Sequence, residues 1–215
     1  MNRYKRYLFL GCHLDDVEYG CGALVCYLCS VGKEVYIAVL SHENKNSTGE
    51  IQLSRNMQEA YSAMHELGVS DGQILIGNCY GQIFDHMQQN VRDELIRIRE
   101  ELHPDAVFFP SKNDVHQDHE VLSRNAFRIF RGGNCYGYEV IRSSYEFQPQ
   151  IYFKITKEEL QRKISSIMSY KSQLTESAGY YFSEKLIEAQ ACFRGGQCGF
   201  DLAEAFECYR QTIVR

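Results

Sequence analysis

The sequence predicts an α/β fold: a mostly parallel sheet with helices on both of its faces. Two observations carry that expectation. Short apolar runs bounded by turn residues alternate with longer stretches whose apolar residues recur at helical spacing. The apolar runs are continuous rather than alternating, the pattern of strands buried on both faces. No internal repeat, proline-rich linker or low-complexity run divides the chain, so its 215 residues are expected to form one domain, residues 1–215.

The elements follow in order. Tyr7–Cys12 is an unbroken apolar run and the first strand. Val17–Val31 has helical spacing, with Gly32 as its stop. Val35–Leu40 (VYIAVL) is rich in β-branched residues and forms the second strand. Ser41–Glu50, with its Asn, Ser, Thr and Gly, reads as a loop. Leu53–Leu67 is helical and Gly68 closes it. A short third strand at Ile74–Ile76, a helix over Val91–Leu102 and a fourth strand at Ala106–Phe109, between Pro104 and Pro110, come next. His119–Phe130 is helical and ends before Gly132-Gly133. Tyr138–Ile141 and Ile151–Ile155 are strands, Lys157–Tyr170 is a helix, and Leu202–Tyr209 a further helical segment.

Composition excludes several classes. Hydrophobic residues at 44% and charged residues at 24% are globular values and argue against disorder. A net charge of -5 argues against a general nucleic-acid binder, which would show a basic face. No apolar run has membrane length and the N-terminus has no secretory pattern, so the expected compartment is the cytoplasm. Nine cysteines, odd in number and scattered, read as reduced and mostly buried thiols. Cys26 and Cys29 have CxxC spacing, but no second pair answers it.

The chemistry concentrates where the first strand stops. His13, Asp15 and Asp16 follow the apolar run directly, and unpaired charge at the mouth of a buried strand is expensive unless something binds it. A divalent metal is the simplest partner; an N-cap role for Asp15 or Asp16 on the following helix is the alternative. In open α/β sheets, sites form beyond the carboxyl ends of strands. That rule brings a second cluster, Asn113-Asp114-Val115-His116-Gln117-Asp118-His119, to the same rim. If His119 opens a helix, its imidazole can face His13 and Asp16. Two histidines and a carboxylate with an open fourth position is a recurring catalytic zinc arrangement. Neighbouring Asp15 and Asp16 point different ways, so one can ligate while the other handles protons. Gly20-Cys21-Gly22 lacks the third glycine of a dinucleotide fingerprint.

These segments resemble a known family. HLDDVEYGCGA is similar to the HPDDxExGxGG signature of the PIG-L/LmbE-like zinc deacetylases, and NDVHQDH to their DxHxDH motif. Arg55, Lys171-Ser172-Gln173 and the closing RGGQCG…AEAF segment are weaker echoes that extend the resemblance along nearly the whole chain. The resemblance implies a Rossmann-like three-layer α/β/α sandwich. It implies Zn2+, or another divalent metal, held by His13, Asp16 and His119. Asp15 would be the general base, taking a proton from the metal-bound water and passing it to the leaving amine. His116 would stabilise the oxyanion, Asp118 would orient a neighbouring group, and Arg55 would contact substrate, with a solvated helix position as its alternative. Leu14 stands where the family has proline, Ala23 where glycine is usual, and Cys12 where alanine is common; strand alternation is expected to turn the Cys12 thiol away from His13.

The implied reaction is removal of an N-acetyl group from an N-acetylglucosamine-type sugar or conjugate. Two alternatives stand beside it. One is hydrolysis of another small amide, such as an N-formyl group, on the same site. The other is a non-catalytic sugar- or nucleotide-binding α/β protein whose metal is structural. The expected partner is a small N-acetylated molecule, with no nucleic acid and no membrane span; whether the chain forms a homo-oligomer is open. Specificity is expected from Ser41–Arg55, Asn78–Gln88 and Gly179–Phe200.

Overall fold

The computed structural model describes residues 4–45, 51–53, 57–174 and 180–212. It contains one eight-stranded sheet. In chain order the elements are β1 (Arg6–Gly11), α1 (Asp16–Ser30), β2 (Glu34–Lys45), β3 (Ile51–Leu53), α2 (Met57–Glu66), β4 (Ile74–Gly81), α3 (Gln88–Leu102), β5 (Ala106–Pro110), α4 (Gln117–Ile129), β6 (Asn134–Tyr138), β7 (Ile151–Lys154), α5 (Lys157–Met168), α6 (Glu184–Cys198) and β8 (Ala203–Arg210). Strands β4, β2, β1, β5 and β6 lie parallel in that order; β8 and β7 extend the sheet antiparallel beyond β6. Strand β3 pairs antiparallel with the far end of β2.

The sheet is buried on both faces, as its continuous apolar strands require. Tyr7, Phe9, Ile37, Phe108 and Tyr138 point to one face, packed with α1, α2, α5 and α6. Leu8, Leu10, Leu40, Val107 and Phe109 point to the other, packed with α3 and α4. The three-layer α/β expectation holds. Gly20 belongs to this packing: a Cβ there would stand 2.1 Å from the Tyr138 ring, so the residue lets α1 lie close on the sheet.

Strand order also creates the site. From β1 the chain runs outward through β2 to β4, then returns to β5 on β1's other side and continues to β6. The direction of winding therefore reverses between β1 and β5, which are hydrogen-bonded neighbours (Leu8 opposite Val107). Such a switch point opens a crevice at the carboxyl ends of the two strands, and both polar clusters lie there.

Several element expectations need correction. Ser41–Lys45 is strand, not loop: β2 continues because β4, itself running to Gly81, pairs it as far as Asn44. Ile51–Leu53 is strand and α2 begins at Met57. The strand expected at Tyr138–Ile141 lies earlier, at Asn134–Tyr138. Leu202–Tyr209 is not helical, since Ala203–Arg210 is β8. Its polar residues are buried with partners supplied by distant elements: Glu204 accepts from Ala23 N, Leu24 N and Lys163, and Glu207 accepts from Ser111 and Gln148 N. Tertiary pairing therefore overrode local propensity. Helix α6 was missed because Gly195-Gly196 weakens its pattern. A Cβ at Gly195 would stand 2.7 Å from the Asp201 backbone, so that glycine is demanded by packing.

Candidate active site

Four aspartates and three histidines meet in the crevice. The turn after β1 is shaped by Asp16, whose Oδ2 accepts from Cys12 N (2.8 Å) and His13 N (2.9 Å). The same carboxylate reaches both expected imidazoles: Oδ2 is 3.5 Å from His13 Nδ1 and Oδ1 is 3.2 Å from His119 Nε2. Asp15 sits at the N-cap of α1 yet makes no side-chain cap bond to it; it is buried and lines the cavity. The capping alternative for these acids is therefore not what this helix start shows.

Each imidazole is backed by a second acid. His13 Nε2 is 3.0 Å from Asp118 Oδ2. Asp118 also accepts from Gln82 N and Phe84 N, which ties the segment after β4 to α4. His119 Nδ1 is 3.1 Å from Asp114 Oδ2, and Asp114 further accepts from His116 N, Ser143 Oγ and Ser144 Oγ. A histidine gripped by a carboxylate on one nitrogen presents the other in a fixed direction. Asp118, expected to orient a neighbouring group, stands against His13. Asp114 was missed, although it is the first acid of the second motif.

His116 is the N-cap of α4, and its Nδ1 accepts from Asp118 N at 3.2 Å. In the neutral ring the proton then sits on Nε2, which becomes a donor. Burial, followed by the nearby charges of His119 and His13, lowers His116 to about 4, so it is neutral at ordinary pH. The other two histidines behave oppositely. Burial alone would lower His13, but Asp16 and Asp118 outweigh it and hold it up at about 9. Burial is likewise overcome at His119, which Asp16 and Asp114 hold up at about 10. Burial opposes ionisation of Asp16, yet His119 and His13 keep it well below the usual carboxylate range.

The ligand atoms of Cys12, Asp16 and His119 lie within 4.8 Å of one another, as do those of His13, His116 and Asp118. Asp16 bridges the two groups through His13 and His119. The donor set therefore fits a divalent ion. The Cys12 thiol, expected to turn away from His13, groups with Asp16 and His119 and not with His13. Burial, reinforced by Asp16, pushes it far above its ordinary value, so in the metal-free protein it is a thiol rather than a thiolate. Glu18, on the other side of α1, receives the Tyr170 hydroxyl at 2.6 Å, and burial raises it to about 8. It does not line the cavity.

The cavity has a volume of about 420 Å³. Besides His13, Asp15, Asp16, His116 and His119, its walls include Gln82, Arg142 and Tyr181. Gln82 and Tyr181 come from two segments expected to set specificity. Arg142, in the loop after β6, was missed; the rule that placed the other residues beyond strand ends applies equally to β6. Tyr181 stacks on Tyr19 with ring centroids 4.2 Å apart, and the Arg142 guanidinium lies 5.7 Å from its ring centre. Arg55 lies outside the described residues.

Known proteins share this fold and part of this sequence. The "Uncharacterized deacetylase YaiS" of Escherichia coli is 26% identical over 178 residues, covering 80% of this chain and 93% of that one. Three solved structures share the fold. The conserved protein TT1542 from Thermus thermophilus superposes with a TM-score of 0.75 at 21% identity, covering 98% of this chain and 97% of that one. The N,N'-diacetylchitobiose deacetylase of Pyrococcus horikoshii gives 0.73 at 19% identity, covering 96% and 84%. GalB, the 4-carboxy-2-hydroxymuconate hydratase of Pseudomonas putida, gives 0.71 at 15% identity, covering 98% of each. Residues 8–130, which contain both polar clusters, match the family model described as PIG-L, GlcNAc-PI de-N-acetylase. The chain belongs to the PIG-L family.

Proposed function

We propose that this protein is a metal-dependent hydrolase that removes the N-acetyl group from an N-acetylglucosamine-type sugar or sugar conjugate. The observation that carries the reading is the Asp16 carboxylate set between His13 and His119, with each imidazole backed by a second acid and Asp15 on the same cavity wall. Family membership and the names of YaiS and the Pyrococcus enzyme support acetyl as the group removed. The hydratase on the same fold makes the reaction itself the thing to test.

His13, Asp16 and His119 would hold the metal; two imidazoles and a carboxylate favour Zn2+, with another divalent ion as the alternative. Bound there, it supplies a Lewis acid that polarises the acyl oxygen and lowers the pKa of water toward about 7. Asp15, buried on the cavity wall beside Asp16, takes the proton from the attacking water and returns it to the leaving amine. His116, neutral and with Nε2–H directed away from its cap contact, donates to the oxyanion as the carbonyl becomes tetrahedral. Asp118 and Asp114 hold the two ligating rings. Gln82, Arg142 and Tyr181 offer the sugar hydrogen bonds and an aromatic edge, and Arg55 would contact substrate, as the family resemblance implies.

The test is acetate release from a panel of N-acetyl sugars, nucleotide sugars and glycoconjugates, with N-formyl counterparts alongside and with or without chelator. Acetate release that stops on chelation while the fold persists is the expected result. Formate release alone would move the assignment to another amide. Saturable binding without hydrolysis would make the protein a binding module.

A further inference from the structure

A second cavity, of about 390 Å³, lies between α3, α4 and the end of β8 and shares no residue with the first. Five arginines line it: Arg92 and Arg99 from α3, Arg128 from the end of α4, Arg131 just beyond, and Arg210 at the end of β8. No aspartate or glutamate lines it. In a chain of net charge -5, that concentration of one sign is a local feature rather than a reflection of composition.

Among the described residues, only one of the five has an acidic partner. Arg99 stands 3.3 Å from Glu100, and its Nη1 reaches Ile129 O. Arg92 donates to the uncharged Gln89. Arg128, Arg131 and Arg210 form no salt bridge among the described residues. A guanidinium cannot shed its proton, so five like charges face one groove. The carbonyls at the end of α4 favour cations and account for Arg128 and Arg99. They do not account for Arg92, which donates to Gln89, or for Arg210, at the end of β8. Ile96, Phe127 and Ile129, all half-buried, line the groove between the arginines.

We propose that this groove binds a small, multiply charged anion bearing phosphate. Its volume is that of a small-molecule site. Arginine's planar fork matches phosphate oxygens two at a time, and several forks from different elements suit a ligand with more than one phosphoryl group. The site is separate from the hydrolytic one and does not depend on the proposed activity. Helix α4 joins the two: His119 stands in its first turn and Arg128 in its last, about 14 Å apart along the axis.

The experiment is calorimetric titration of the full chain with pyrophosphate and, separately, with ATP, at low and moderate salt. It is repeated on Arg128→Gln/Arg131→Gln, on Arg92→Gln/Arg210→Gln and on His119→Ala. Arg128 and Arg131 are exposed, so the first double variant should retain its melting temperature. One saturable site is expected, weakened by salt, unchanged in His119→Ala, and weakened at least about tenfold in either double variant. Tighter binding of ATP than of pyrophosphate identifies a nucleotide as the source of the phosphate; equal binding identifies the phosphates alone. Absence of saturable binding, or affinity unchanged in both double variants, overturns the proposal. So does binding lost in His119→Ala, which would place the anion in the hydrolytic site.

Discussion

Asp118→Asn separates the roles of ligand and ligand support. The Asp118 carboxylate is wholly buried and accepts from His13 Nε2, Gln82 N and Phe84 N. Oδ2 takes the first two bonds and Oδ1 the third. An asparagine keeps one oxygen, but its other group is a donor. If the oxygen stays with Phe84, the Gln82 N–H is stranded, at about 1–3 kcal/mol. His13 must then accept at Nε2 and carry its proton on Nδ1, the nitrogen that faces Asp16. That is the wrong tautomer for a ligand. Loss of such outer support typically costs 10–100-fold in metal affinity, about 1.4–2.7 kcal/mol. The assay is competition with a chromogenic chelator, alongside thermal melting of the metal-free protein. Affinity within about twofold of wild type, with the melting temperature lowered, would show that Asp118 holds the Gln82 turn but does not orient His13, and the argument would fail.

Asp15→Asn should keep its metal and lose roughly 10²–10⁴ in kcat, the scale of a general base; metal content and turnover are measured together, and unimpaired turnover would remove Asp15 from the mechanism. In the metal-free protein His13 is held up at about 9 and His119 at about 10, above the ordinary value of about 6.5. Their contribution to the metal-free fold is therefore fully present below pH ~6.5 and is lost as pH rises through 9 to 10. Because a metal must displace those protons, its apparent affinity should climb across the same window, with proton release visible in buffers of different ionisation enthalpy; a flat profile would contradict the protonated pair. Lys163→Met should destabilise the fold by about 3–5 kcal/mol, because Lys163 Nζ is 2.7 Å from Glu204 in the interior and the variant leaves that carboxylate buried without its cation. Urea unfolding measures it; a change below about 1 kcal/mol would mean that the Ala23 and Leu24 amides alone satisfy Glu204.

Much of this molecule was legible one segment at a time. The buried strands Tyr7–Cys12 and Ala106–Phe109 announced themselves through unbroken apolar runs, and the histidines and aspartates beyond them through charge placed where a strand ends. Backbone period and burial are local properties, so a single stretch of chain displays them. Closing segments behaved differently. Ala203–Arg210 resembled a helix because Glu204 and Glu207 break its apolar run, and donors from elsewhere, among them Lys163, the α1 amides, Ser111 and Gln148 N, make those acids tolerable inside a sheet.

By itself the sequence determined the α/β class, the place of the crevice and the residue types that meet there. Tertiary structure alone decided how the acids are divided: Asp16 between two imidazoles, Asp118 behind His13, Asp114 behind His119. It also decided that Arg142 reaches the first cavity and that arginines from α3, α4 and β8 line the second. The reason is physical. A residue's type and period are written in its own neighbourhood, whereas its charge state and partners depend on which distant side chains the sheet order brings within about 3 Å.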